Sequence, residues 1–211
     1  MSVLLHEELY RGPVLLERLS ECQIVVCGAG ALGSNLAESL TRCGARRLSV
    51  IDRDRVEEHN LSTQPYGRAD IGGQKAKMLS HWLYRATGIA VTGHCLELKA
   101  DNVKKLLAGA HLVVDCFDNT LSRQLVTDFC REANLNCLHV GLSADFAEVL
   151  WNEVYRVPQM GNLDGCDYPL ARNIVQLAVA TASEVIFTFL ASGTRANYTV
   201  TLADLSIRPF E

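Results

Sequence analysis

Three groups of residues in this 211-residue chain have types and spacing that could do chemistry. The first is Gly28-Ala-Gly30-Ala-Leu-Gly33, spaced G-x-G-x-x-G and placed directly after the apolar run Cys22-Gln-Ile-Val-Val-Cys27. Glycines there let the backbone approach an anion closely, and a helix starting inside the turn offers free N–H groups and the positive end of its dipole to a phosphate. Asp52 follows 19 residues after Gly33, at the end of Leu48-Ser-Val-Ile-Asp52, where a carboxylate can accept both hydroxyls of a ribose. The second group is Asp115-Cys-Phe-Asp118-Asn119-x-x-x-Arg123. Asp118 lies just past a strand, where open α/β sheets bind ligands, and could hold Mg2+; Asn119 or Thr120 can cap the next helix in its place. The third is Cys166, inside Gly161-Asn-Leu-Asp-Gly165-Cys166-Asp-Tyr-Pro169. A thiol in a polar, glycine-flanked loop can approach an acyl group, but only as thiolate. Asp164 and Asp167 would raise its pKa, whereas Arg172 or the N-terminus of the next helix would lower it.

These groups need elements to position them. Strand 22–27, the glycine turn, a helix through Leu36, Ala37 and Leu40 ending at Cys43-Gly44, and strand 48–52 make a βαβ unit. Helices are expected near 74–86, 102–108 and 120–133, with strands near 90–95, 111–116 and 136–141. This alternation predicts an α/β, Rossmann-like open sheet, mostly parallel, with helices on both faces. After Gly141 the pattern changes to an extended segment over 148–157, a Gly, Asn, Asp and Pro-rich crossing loop over 158–169, and an apolar helix over 174–190. Antiparallel strands at 198–202 and 207–210 would close the sheet. Gln176, Thr181, Ser183 and Glu184 interrupt the apolar helix, which points to a buried or interface helix and no membrane span. One continuous domain over residues 1–211 is expected.

Composition narrows the class. Hydrophobic residues make up 48% and charged residues 21%, a globular balance, and the net charge of −4 disfavours a nucleic-acid partner. The opening segment has His6, Glu7 and Glu8 where a secretory signal would be apolar, so the eight cysteines are expected to be reduced thiols in a cytoplasmic protein. None is spaced C-x-x-C, so no zinc is expected. Seven would be packing residues, and Cys166 a candidate nucleophile.

Beyond Asp52 the chain reads Asp52-Arg-Asp54-Arg-Val-Glu-Glu-His-Asn60-Leu-Ser-Thr-Gln64, then Ile71-Gly-Gly-Gln-Lys75, then the Asp115 to Arg123 segment. In that order these segments resemble the E1-like superfamily, which adenylates the C-terminus of ubiquitin-like and sulfur-carrier proteins. The resemblance spans roughly residues 20–190. It implies that Gly28, Gly30, Gly33, Asp52, Asp54, Asn60, Gln64, Lys75, Asp118 and Asn119 bind ATP, that Lys75 and Asp118 are catalytic, and that Asp118 holds Mg2+. It further implies a homodimer in which an N-terminal arginine, here Arg11, reaches the partner subunit's ATP. Arg123 would face the substrate's C-terminal tail, with a helix-surface salt bridge as the other reading. In members that form a thioester the nucleophile lies in a crossover loop, where Cys166 stands. The implied partners are a ubiquitin-like protein with a C-terminal glycine and an E2-like conjugating enzyme. The size resembles stand-alone bacterial enzymes of ubiquitin-like conjugation operons, some of which act in antiphage defence.

The chain departs from the pattern in one place that matters. Thr63 stands where the family has arginine two positions after Asn-Leu, so Arg68 or another basic group would have to serve the phosphates, or activity would be weak. Sulfur-carrier adenylation without a thioester, dehydration of a tRNA base, a silent scaffold for a ubiquitin-like protein, and a nicotinamide oxidoreductase are the alternatives.

Overall fold

The computed structural model describes residues 2–158 and 169–210. Its centre is one eight-stranded sheet in the order β3-β2-β1-β4-β5-β6-β7-β8. Strands β1 (Gln23–Cys27), β2 (Arg47–Ile51), β3 (Thr92–His94), β4 (Leu112–Asp115) and β5 (Cys137–Ser143) run parallel. Strands β6 (Phe146–Trp151), β7 (Tyr198–Thr201) and β8 (Ser206–Pro209) add an antiparallel flank. The order reverses between β1 and β4, so the crevice at their C-terminal ends is the topological switch point, where such sheets take ligands.

Alternation along each strand builds a core on either side. Ile24 and Val26 of β1 join the larger core with α3 (Ala31–Arg42), α4 (Lys75–Thr87) and α7 (Arg172–Ser192). Val25 and Cys27 point the other way, toward α5 (Val103–Leu107) and α6 (Thr120–Glu132). The α7 helix is long and apolar enough to cross a membrane by length and composition, but in the fold it packs on α3 and the sheet. Arg18 donates to the carbonyls of Leu190 and Ala191 and so closes its last turn.

Two helices precede the sheet that periodicity did not predict. The first, α1 (Leu5–Arg11), buries no residue, so no apolar stripe announces it. The second, α2 (Pro13–Glu21), begins with proline at its first turn and buries Leu16 and Leu19; Gly12, at φ +80°, breaks the chain between the two. The extended segment expected over 148–157 is instead β6, starting at Phe146 and ending at Trp151. A tight hairpin after Ser143 sets its start, and a turn at residues 152–154 ends it. Of the seven cysteines described, Cys22, Cys27, Cys116, Cys130 and Cys137 are buried, and Cys43 and Cys95 are half-buried.

Candidate active site

A cleft of about 530 Å³, open to solvent, lies at the switch point. Gly28, Gly30, Asp52, Asp54, Lys75, Asp118 and Asn119 all line it. The three glycines do different work. Gly28 has φ +102°, and a Cβ there would stand 3.0 Å from the Cys116 carbonyl oxygen, so its absence lets the ends of β1 and β4 meet. Gly30 is the N-cap of α3, which has no side-chain cap, and a Cβ on it would meet nothing within 4 Å. An open, uncapped helix N-terminus of this kind suits an anion. Gly33 does not line the cleft; a Cβ on it would fall 2.0 Å from the Gly28 carbonyl oxygen, so it serves close packing of α3 on the turn.

Asp52 is held by the backbone. Its Oδ2 accepts from the Ala29 amide at 2.6 Å and its Oδ1 from the Asp54 amide at 2.7 Å. Burial pushes this carboxyl above the usual carboxylate range, against the pull of those two amides and of Lys75. Each oxygen keeps a lone pair for a further donor. Lys75, first residue of α4, donates its amide to the Asp54 carbonyl at 2.8 Å and puts Nζ 3.5 Å from Asp54 Oδ2. Asp54 therefore shapes the cleft by steering Lys75. Asn119 takes the capping role, its Oδ1 accepting from the Ser122 amide at 2.9 Å. Asp118, which lines the cleft, is left with no hydrogen bond or ion pair among the described residues.

Besides Gly33, three of the expected residues lie outside this lining. Asn60 is buried in a 3-10 helix (Glu58–Ser62), its Oδ1 accepting from the Glu57 amide at 2.9 Å. Gln64 is buried too, and its Oε1 has no hydrogen-bond partner among the described residues. Their segment docks on the N-terminal half of α3, where Asn35 Nδ2 donates to the Thr63 carbonyl at 2.8 Å. Arg11 sits on the α7 side, donating to Glu7 and to both oxygens of Glu184, with its guanidinium over the Phe187 ring. Arg68 is exposed beside Glu58, while Arg172, at the start of α7, donates to the Ser62 carbonyl at 3.3 Å. Cys166 lies outside the described residues.

Arg123 requires a correction. It faces neither a substrate tail nor solvent: it is buried, donating to Tyr155 Oη at 2.9 Å and to the Val140 carbonyl at 3.0 Å, 3.6 Å from Asp115 Oδ2. On α6 it occupies the same face as Val126, Thr127 and Cys130, which the sheet covers. The far wall of the cleft was not foreseen either. Leu96, Glu97 and Leu98 follow β3 and face Arg53, whose guanidinium pairs with Glu97 at 2.6 Å. The signal was the strand itself, since chain leaving the C-terminal end of any parallel strand borders the crevice.

The ThiF family profile matches residues 6–199. The sulfur carrier protein ThiS adenylyltransferase of Bacillus subtilis is 36% identical over 121 residues, covering 56% of this chain and 36% of that protein. The SAMP-activating enzyme E1 of Haloferax volcanii is 34% identical over 131 residues, covering 61% and 48%. The chain thus aligns with less than half the length of either relative. The crystal structure of E. coli MccB with ATP superposes with a TM-score of 0.83 over 100% of this chain and 70% of that one, at 17% identity, a likeness of fold.

Proposed function

The chain belongs to the ThiF family, and we propose that it binds ATP in the switch-point cleft and adenylates the C-terminal glycine of a ubiquitin-like or sulfur-carrier protein. The observation that carries this reading is the meeting of four features in one cleft: the uncapped N-terminus of α3, buried Asp52, Lys75, and Asp118, which is unpaired among the described residues. In the reaction a carboxylate oxygen of the substrate attacks the α-phosphorus, the bond to the β-phosphate breaks, and pyrophosphate leaves with the electron pair. Such chemistry asks the protein for positioning and charge neutralisation. The first-turn amides of α3 and the Lys75 ammonium supply the positive field, and Asp52 accepts from the ribose hydroxyls.

Among the described residues no group of three or more His, Cys, Asp or Glu could hold a metal ion, so Mg2+ would take one carboxylate from Asp118 and most of its ligands from phosphate and water. When bound it would neutralise developing charge on the phosphates. From the sequence we extend the proposal to Cys166, whose thiolate would attack the acyl carbon and release AMP as a thioester forms. We further propose a homodimer; for Arg11 to serve a second copy's nucleotide, its paired contact with Glu184 would first have to open.

Pyrophosphate exchange into ATP tests the reading. Exchange that depends on a ubiquitin-like or sulfur-carrier partner is expected, and Cys166→Ala should keep it while losing a thiol-sensitive adduct. Partner binding without exchange would leave a silent scaffold, and exchange without an adduct would leave adenylation alone.

A further inference from the structure

Beneath the cleft lies a buried polar cluster that the adenylation scheme does not use. Asp115, the last residue of β4, and His139, its register partner in β5, are fully buried, and His139 stacks on Tyr155 with ring centroids 3.8 Å apart. Both ring nitrogens face acceptors. Nδ1 lies 2.9 Å from Asp115 Oδ2, and Nε2 lies 2.8 Å from Asn152 Oδ1, with Cys137 Sγ at 3.4 Å. The Asn152 amide cannot turn round to help, because its Nδ2 donates to the Thr127 carbonyl and a flip would set oxygen against oxygen. A ring between two oxygen acceptors needs a proton on each nitrogen. Arg123 reaches Asp115, and Glu148 shares with it the space that Gly141 leaves open, where a Cβ would be 3.2 Å from Glu148 Oε1 and 3.6 Å from Arg123 Nη2. Burial pushes the Glu148 carboxyl up, against the pull of Arg123 and His139.

Asp115 connects this cluster to the cleft. Its Oδ1 accepts from the Phe117 amide at 3.1 Å, inside the turn that presents Asp118 and Asn119. We propose that His139 is a positioning residue: a doubly protonated ring whose Nδ1–H locks Asp115 and, through the Phe117 amide, fixes Asp118 toward the cleft. The consequence for ATP rests on reading that cleft as the nucleotide site; the geometry of the turn does not.

Two substitutions separate the roles of the ring nitrogens. The side-chain amide of His139→Asn keeps a donor where Nδ1 stood, and His139→Gln keeps one only near Nε2. In wild-type protein, proton–nitrogen correlation spectra of the histidine rings should show a proton on each His139 nitrogen, as the two oxygen acceptors require. His139→Gln should move the backbone amide resonances of Phe117, Asp118 and Asn119 and weaken ATP binding by about tenfold, as expected for loss of a hydrogen bond to a charged group. His139→Asn should return both close to wild type. A bare nitrogen in the wild-type ring, or equal effects from the two variants, would overturn the proposal, because a ring that merely fills space would be missed alike in both. If ATP does not bind the wild-type protein at all, the nucleotide reading falls, and the amide shifts still decide whether His139 positions the turn.

Discussion

Asp115 and Asp118 stand three residues apart, yet they occupy opposite environments. Asp118 borders an open cleft and bonds to nothing among the described residues. Asp115 is fully buried and holds His139, the Phe117 amide and the nearby Arg123 guanidinium. Burial alone would push the Asp115 carboxyl up, but the charge of Arg123 and the hydrogen bond from His139 prevail and hold it below the usual carboxylate range. One short motif therefore contains two kinds of residue. Its outer member Asp118 lines the open cleft, and its inner members make the floor on which that residue stands. The lesson is that an unpaired polar group at a strand end and a saturated one behind it are complementary: the second makes the first affordable in a folded chain.

Substitutions on the two sides should separate activity from stability. Asp118→Ala is predicted to reduce partner-dependent pyrophosphate exchange by about a thousandfold, with the thermal midpoint unchanged because no contact is lost. Exchange that survives this change would remove Asp118 from the chemistry. Arg123→Leu should do the reverse first, costing about 3–5 kcal/mol in urea unfolding because it removes one partner of a buried charge pair. Since the folded pKa of Asp115 is depressed, the stability it contributes is present above the ordinary carboxylate range and is lost as pH falls through the folded value. The glycines give a smaller version of the contrast. Gly33→Ala should destabilise by about 1–3 kcal/mol, because its Cβ would collide with a backbone carbonyl. Gly30→Ala, whose Cβ meets nothing, should leave unfolding within about 0.5 kcal/mol and weaken ATP binding measured by calorimetry.

Much of the cleft was legible because its parts are local. A strand, a glycine turn and a helix follow one another within residues 22–43, and Asp52, Lys75 and Asp118 each sit at an element end that periodicity marks. The floor was not legible, because it is made by side chains from four places that only the sheet brings together. Nothing local says that Arg123 turns inward, since a lone arginine on a helix is ordinarily solvated. Nor does His139, flanked by apolar residues in a buried strand, reveal that Asp115 and Asn152 will meet its two nitrogens. The Arg53 and Glu97 wall failed for the same reason, as 44 residues separate its members.

The mildest test falls on Asp52, which belongs to both sides: it is buried like Asp115 but lines the cleft like Asp118. Its carboxyl is raised by burial, so the folded chain binds that proton more tightly than the unfolded chain does. Folding is then favoured where the proton stays on, below the ordinary carboxylate value, and this contribution is lost as pH rises through the window up to the raised folded value. Nucleotide binding should run the other way. Only the ionised carboxylate offers all its lone pairs to ribose hydroxyls while still holding the Ala29 and Asp54 amides, so ATP affinity should climb across the same window and level off above it. Asp52→Asn should flatten both slopes and leave affinity about tenfold lower at neutral pH, the effect of losing a charge from a buried hydrogen bond. Urea unfolding and ATP calorimetry across mildly acidic pH read the two slopes separately. Parallel slopes would mean that Asp52 serves the fold of the turn alone; opposed slopes would mark it as the residue through which burial is exchanged for recognition.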